Sequence, residues 1–318
     1  MGKIASQNKE NIEGIVVKST GSWYTVVDNE GEKVDCKIQG RFRKQGLRST
    51  NPVAIGDRVK VFVKKHETPI ITEIFERKNF IIRKASKLSK YSQIIAANID
   101  QALLLATMIT PKTYIEFIDR YLVSAEAYRI PAILVFNKTD SYSEDIIYDM
   151  NQIISVYEKI GYTCLAISAK EGTNLELLKN LLKGKVSILS GNSGVGKTTL
   201  INKLDPFYKL PTSEISDYHQ TGKHTTTYAQ MHELNFGGHI IDTPGIKGFG
   251  LVHMDKEEIY HFFPEIFLYS KKCKYHNCMH IDEPECNVIE AVKKGQISNI
   301  RYNSYINLYL EEENKYRK

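Results

Sequence analysis

The stretch KVSILSGNSGVGKT, residues 185–198, decides how the rest of the chain is read. A short apolar run through Val186, Ile188 and Leu189 ends at Gly191, and Gly196, Lys197 and Thr198 complete the spacing G-x-x-x-x-G-K-[ST]. Glycines at this spacing let successive backbone N–H groups curl round an anionic diphosphate, and a helix opening near Thr198 points the positive end of its dipole at the same charge. Gly191, Asn192, Ser193, Gly194, Val195, Gly196, Lys197, Thr198 and Thr199 are therefore expected to form a phosphate site. Lys197 would reach the β- and γ-phosphates and the Thr198 hydroxyl would hold Mg²⁺. The competing reading is a Gly-rich turn before a helix; the apolar strand in front and the helical pattern behind favour the phosphate loop.

Outward from that loop, 318 residues with 42% hydrophobic and 25% charged content describe a globular chain of roughly two domains. No run of about 18 apolar residues exists, and the start MGKIASQNKE is no secretory signal, so the chain is expected in the cytoplasm. Met1, Gly2 and Ser6 fit an acylation spacing, but one lipid without a strong basic patch or a second lipid anchors poorly, and no membrane partner is expected. The net charge of +6 suits an anionic partner. Five cysteines argue against a disulfide framework, and three of them crowd between 273 and 286.

Upstream, IEGIVVK, SWYTVV, KVDCKI, DRVKVFV and IITEI read as five short strands over residues 12–74, which fits a small closed barrel of the OB type. Arg41, Arg43, Lys44 and Arg48, beside Phe42, lie between the third and fourth strands, where they suit a nucleic-acid backbone and a stacked base; an ordinary exposed basic loop is the alternative. RKNFIIRKASKLSKY, residues 77–91, with six basic and no acidic residues, reads as a linker and a second phosphate-contacting strip. Beyond it, QALLLATM, AILVF and TCLAIS read as buried strands alternating with helices, which means a parallel α/β sheet with helices on both faces.

The end of AILVF carries Asn137, Lys138, Thr139 and Asp140. A carboxylate at the mouth of a parallel sheet accepts from both N1–H and N2–H₂ of guanine, a donor pair adenine lacks, so this N-K-x-D selects GTP. A polar turn with an Asp cap is the bland alternative. Ser168, Ala169 and Lys170 follow the next strand, where a main-chain N–H would back the base. After the phosphate loop, a long unpatterned segment ends in GKHTTT, 222–227, one of whose threonines, Thr226 the first choice, would join the Mg²⁺ shell; a plain β-strand start is the alternative. HIID delivers Asp242, toward Mg²⁺, and DTPG places the Gly245 N–H toward the γ-phosphate. Ile246 stands where Ras-like enzymes carry the water-orienting Gln, which leaves His224 as the nearest group able to order water, unless it merely caps the strand. The N-K-x-D and S-A-K elements precede the phosphate loop, the reverse of the Ras-like order, so the domain is expected to be circularly permuted. Near the end, Cys273, Cys278, His280 and Cys286 supply four soft ligands within fourteen residues, enough to close one structural, tetrahedral Zn²⁺ site.

On NKTD, SAK, GNSGVGKT, GKHTTT, DTPG and the Cys₃His cluster, in this order, the chain resembles the circularly permuted ribosome small-subunit-dependent GTPase A family over residues 12–310. The resemblance implies an OB-fold domain (1–76), a permuted GTPase (77–262) and a zinc-binding helical domain (263–318). It also implies hydrolysis of GTP to GDP and phosphate in late maturation of the small ribosomal subunit, with rRNA binding and stimulation by that subunit, by a chain expected to be monomeric off the ribosome. Lys197 and Thr226, with His224, are the catalytic candidates. A GTP-holding RNA-binding factor with negligible hydrolysis is the alternative, and an ATP-using phosphotransferase is disfavoured by NKTD. If Asp140 reads guanine, Asp140→Asn weakens GTP binding and strengthens that of xanthosine triphosphate, whose base presents a carbonyl in place of the amine. Equilibrium titration with both nucleotides measures this, and an unchanged GTP preference would refute it.

Overall fold

In the computed structural model, which describes residues 11–40, 52–84, 92–206, 230–242 and 255–311, the pattern RVKVF buries Val59 and Val61 completely and turns Arg58 and Phe62 outward. A period of two with one apolar face demands a sheet closed over a core. Strands β1 (Asn11–Ser19), β2 (Tyr24–Asp28) and β3 (Lys33–Ile38) form an antiparallel meander. β3 then runs parallel to β5 (Ile70–Ile74), β5 pairs antiparallel with β4 (Arg58–Phe62), and β4 closes on β1. This is the five-stranded barrel expected of the N-terminal region, and closure leaves it no open strand edge. Val16, Tyr24, Val26, Cys36, Val59, Val61 and Ile71 fill it.

The chain divides into two compact units. The first takes its described residues from Met1–Gln101, Leu181–Leu189 and Asp217–Ile246. Besides the barrel it holds the antiparallel pair β6 (Phe80–Lys84) and β7 (Ser92–Ala97), and β12 (Gln230–Glu233), which is antiparallel to β13 (His239–Asp242) and meets β1 at Lys18 and Gln230. β13 lies parallel to β11 (Val186–Ser190) with Leu189 opposite Asp242. Two expectations change here. The segment from residue 77 is no linker, since Phe80 to Lys84 pair along β7; a count of basic residues hid the short β-forming run FII. Nor does Arg77 lie open to phosphate: its Nε and Nη2 donate to the two oxygens of the fully buried Asp57 at 2.6 and 2.7 Å, and Nη2 also to the Pro52 carbonyl at 2.7 Å.

The second unit draws on Ala102–Asn180, Ser190–Ser216 and Lys247–Lys318. Its parallel strands β8 (Gln101–Ala106), β9 (Ala132–Phe136) and β10 (Thr163–Ala166) are linked through α1 (Ile115–Ala127) and α2 (Glu144–Ile160). Every residue of β8 and β9 is buried, as continuous apolar runs in a parallel sheet should be. α3 (Leu175–Leu182) precedes β11, and α4 (Lys197–Leu204) follows the phosphate loop. Strands carrying N-K-x-D and S-A-K thus come before the phosphate-loop strand, the permuted order, while the antiparallel β12 makes the strand set mixed.

α5 (Pro264–Ser270), α6 (Asn287–Lys293) and α7 (Asn299–Leu310) complete this unit. Arg301 of α7 is fully buried; its Nη1 donates to Asp119 of α1 at 2.6 Å and its Nε to Glu265 of α5 at 2.7 Å, with the Phe263 ring 4.5 Å away. Burial alone would push the guanidinium down, yet Asp119 and Glu265 hold it well above its ordinary range. Tyr157 donates to the same Asp119 oxygen at 2.7 Å, so helices α1, α2, α5 and α7 converge on one charge. Arg301→Met would strand two carboxylates and is expected to cost about 3–5 kcal/mol of stability. Urea unfolding reads this directly, and a loss below about 1 kcal/mol would show the cluster to be solvated.

Candidate functional site

β9 continues one residue past Phe136: the Asn137 N–H still donates to the Ala106 carbonyl at 2.8 Å. Lys138 then turns left-handed, at φ 69°, into a 3₁₀ turn over Thr139–Ser141. That turn aims the Asn137 side chain inward, where it is 2% exposed. Its Nδ2 donates to the Val195 carbonyl at 2.8 Å, and its Oδ1 accepts from the Ala169 N–H at 2.9 Å. One amide therefore binds the phosphate loop on one side and the S-A-K loop on the other. Gly196 is what allows so close an approach: at φ 100° a Cβ there would sit 2.5 Å from Asn137 Nδ2. Gly191, at φ 150°, is held in the same way against the Leu105 carbonyl, 2.5 Å from where its Cβ would be.

Beside this junction Asp140 is exposed, and its Oδ1 accepts from the hydroxyl of fully buried Ser168 at 2.5 Å. The Ser168 Oγ in turn accepts from the Glu171 N–H at 3.0 Å, and Thr139 N–H donates to the Ile167 carbonyl at 3.2 Å. Ser168 thus orients the carboxylate that follows Thr139. Lys170 stays in solvent beside Glu171, 3.5 Å away. In the phosphate loop, Lys197 Nζ donates to the carbonyls of Gly191 and Asn192 at 2.7 and 2.8 Å, Ser193 and Gly194 are exposed, and Thr198 and Thr199 are half-buried at the start of α4. Asp242 ends β13. Its side chain lies outside the described residues, as do Gly245, Thr226, His224 and the basic residues Arg41, Arg43, Lys44 and Arg48.

Two parts of the site belong to no motif. The turn Thr107–Thr113 leaves β8 and lies against the phosphate loop, with Pro111 Cδ 3.4 Å from where a Cβ of Gly194 would be. Tyr142, just past the 3₁₀ turn, is buried, and its hydroxyl donates to the Asn137 carbonyl. Burial first, and the Asp140 carboxylate after it, push that hydroxyl above its ordinary range and keep it a donor. Pro111 after Thr110, just beyond a buried strand, was the available signal for the turn; a lone Tyr gave none.

The four ligand candidates near the C-terminus do converge. The donor atoms of Cys273, Cys278, His280 and Cys286 all lie within 4.8 Å of one another. His280 Nδ1 is 3.6 Å from Cys273 Sγ and 3.4 Å from Cys286 Sγ, and the last two sulfurs are 3.9 Å apart. A tetrahedral zinc site with ordinary bond lengths has edges of about 3.6 Å between nitrogen and sulfur and about 3.8 Å between sulfurs. Burial first, and then the neighbouring sulfurs, push the Cys278 thiol up to about 12, so this sulfur becomes a thiolate only with a cation beside it. Glu283 props the loop by accepting from the N–H groups of Met279 and Ile281 at 2.6 and 2.8 Å, and Tyr302 donates to the His280 carbonyl at 2.7 Å. The residues fit a closed metal site.

Comparison with known proteins adds to this geometry. A family profile described as RsgA GTPase matches residues 74–252, and one described as RsgA N-terminal domain matches 13–71. A protein of Bacteroides thetaiotaomicron named small ribosomal subunit biogenesis GTPase RsgA 2 is 53% identical over 307 residues, covering 96% of this chain and 99% of the relative. A Christiangramia forsetii protein named small ribosomal subunit biogenesis GTPase RsgA is 49% identical over 309 residues, 96% of this chain and 98% of its own. Among solved structures, YjeQ from Thermotoga maritima superposes with a TM-score of 0.78 at 35% identity, covering 94% of this chain and 97% of its own. YloQ, described as a circularly permuted GTPase, superposes at 0.76 and 27% identity over 99% of both chains.

Proposed function

The chain belongs to the RsgA GTPase family, which hydrolyses GTP, and on that premise we propose that it uses GTP hydrolysis to time a step in maturation of the small ribosomal subunit. The observation that carries this reading is the Asn137 side chain, which joins the phosphate loop to the N-K-x-D and S-A-K loops so that one nucleotide can touch all three. Asp140 then reads the guanine edge, with Ser168 holding one of its oxygens in place. The amides of residues 191–196, with Lys197, bind the β- and γ-phosphates. Thr198, Thr226 and Asp242 hold Mg²⁺, which neutralises the phosphate oxygens when bound. Cys273, Cys278, His280 and Cys286 hold one Zn²⁺, whose binding free energy is folding free energy for the segment that carries it.

The proposed division is an OB-fold domain at 1–76, a GTPase at 77–262 and a zinc-binding domain at 263–318, the first and last docking on rRNA with Arg41, Arg43, Lys44 and Arg48 among the contacts. No helix among the described residues is long and apolar enough to cross a membrane. With Ile246 unable to orient water, the free chain should turn over slowly, and docking on the subunit should bring His224 to the γ-phosphate. Single-turnover hydrolysis with and without purified small subunits tests both points. Stimulation of tenfold or more is expected, with most of it lost in His224→Ala while GTP binding stays near normal, within the ~10²–10⁴ of a positioned catalytic group. Equal rates with and without subunits would instead favour a GTP-holding assembly factor. Equal stimulation of wild type and variant would assign the water to another group.

A further inference from the structure

The Asn137 carbonyl sits where β9 has ended and Lys138 turns left-handed at φ 69°, and among the described residues no backbone N–H of a neighbouring strand donates to it. It is met instead by the Tyr142 hydroxyl, which at the same time accepts the Met108 N–H at 2.9 Å. Met108 lies in a turn closed on itself. Thr113 N–H donates to the Thr107 carbonyl at 2.8 Å, Thr107 N–H donates to Thr113 Oγ1 at 3.0 Å, and the Thr107 hydroxyl donates to the Pro111 carbonyl. The same turn takes the Lys138 ammonium on its Thr110 carbonyl at 2.8 Å. Two links, one of two hydrogen bonds through the Tyr142 hydroxyl and one through the Lys138 ammonium, therefore tie Asn137 and Lys138 to a single turn. The next two residues are Thr139 and Asp140.

We propose that the Tyr142 hydroxyl is a specificity-positioning group: by tying the Asn137 carbonyl to the turn Thr107–Thr113, it sets the direction in which the Asp140 carboxylate faces the base. This rests on the reading of Asp140 as the guanine-selecting residue. A base-reading carboxylate discriminates only if both of its oxygens are aimed at the N1–H and N2–H₂ pair, since a hydrogen bond weakens steeply with angle. Without the hydroxyl, two backbone groups lose their partner and the peptide ahead of Asp140 is free to rotate. The lost aim costs guanine more than it costs a base lacking the 2-amine.

The test is equilibrium binding of GTP and inosine triphosphate, whose base lacks that amine, to the full chain and to Tyr142→Phe, with thermal unfolding followed alongside. Wild type is expected to prefer GTP by about tenfold or more, and the variant by about threefold or less. Thr113→Val, which removes the acceptor for Thr107 N–H at the neck of the turn, serves as the second variant should Tyr142→Phe not fold, and is expected to lower the same ratio. General loosening weakens both nucleotides alike and leaves the ratio unchanged, so a folded variant with the wild-type ratio overturns the proposal. Wild type showing no preference for GTP overturns the guanine reading beneath it.

Discussion

A buried primary amide has donors and an acceptor to satisfy, and at Asn137 one donor and the acceptor are met by backbone groups 58 and 32 residues away along the chain. The Val195 carbonyl and the Ala169 N–H belong to buried residues in the loops that follow β11 and β10, outside any strand ladder. Leaving either unpaired costs about 1–3 kcal/mol. That penalty makes the arrangement close to all-or-none, so the phosphate loop and the base loops are ordered together. Permutation of the chain does not touch this requirement. The side chain that binds the loops stands in the middle of the unit, and the order in which the loops are reached along the sequence has no effect on the bonds.

A second requirement acts in the same unit, among its helices. Arg301, fully buried, needs Asp119 and Glu265, and the three come from α7, α1 and α5. Such a triad stabilises less than an equally packed apolar cluster would, because desolvation offsets most of its Coulomb energy. Its worth lies in specificity, since only one packing of α7 brings the guanidinium to both carboxylates. α7, the second helix after the Cys₃His loop, is thereby fixed to α1, the helix that follows β8 and the turn Thr107–Thr113.

Much of this was legible in the residues. The five barrel strands, the helix over 144–160, the convergence of Cys273, Cys278, His280 and Cys286, and the permuted order could be read because each rests on local periodicity or on fixed spacing. What escaped rests on contacts distant in sequence. The pairing of β6 with β7 was masked by the basic residues round FII, because charge describes a surface and says little about a ladder. Arg77 looked like a phosphate contact until Asp57, twenty residues earlier, was found beside it. Asn137 could be identified as part of a motif, but its two partners could not; the turn after β8 left only Pro111 as its signal, and Tyr142 follows from no pattern at all. Hydrogen bonds to main-chain carbonyls leave no trace in side-chain identity.

The central claim is that Asn137 couples the ordering of the phosphate loop to that of the S-A-K loop. Amide hydrogen exchange on nucleotide-free Asn137→Ala tests it most directly, because local opening is read segment by segment. Faster exchange at Ala169 and its neighbours together with faster exchange across residues 191–196, at little change in the barrel strands, is the predicted result. Acceleration confined to one of the two loops, with the other as protected as in wild type, would contradict it.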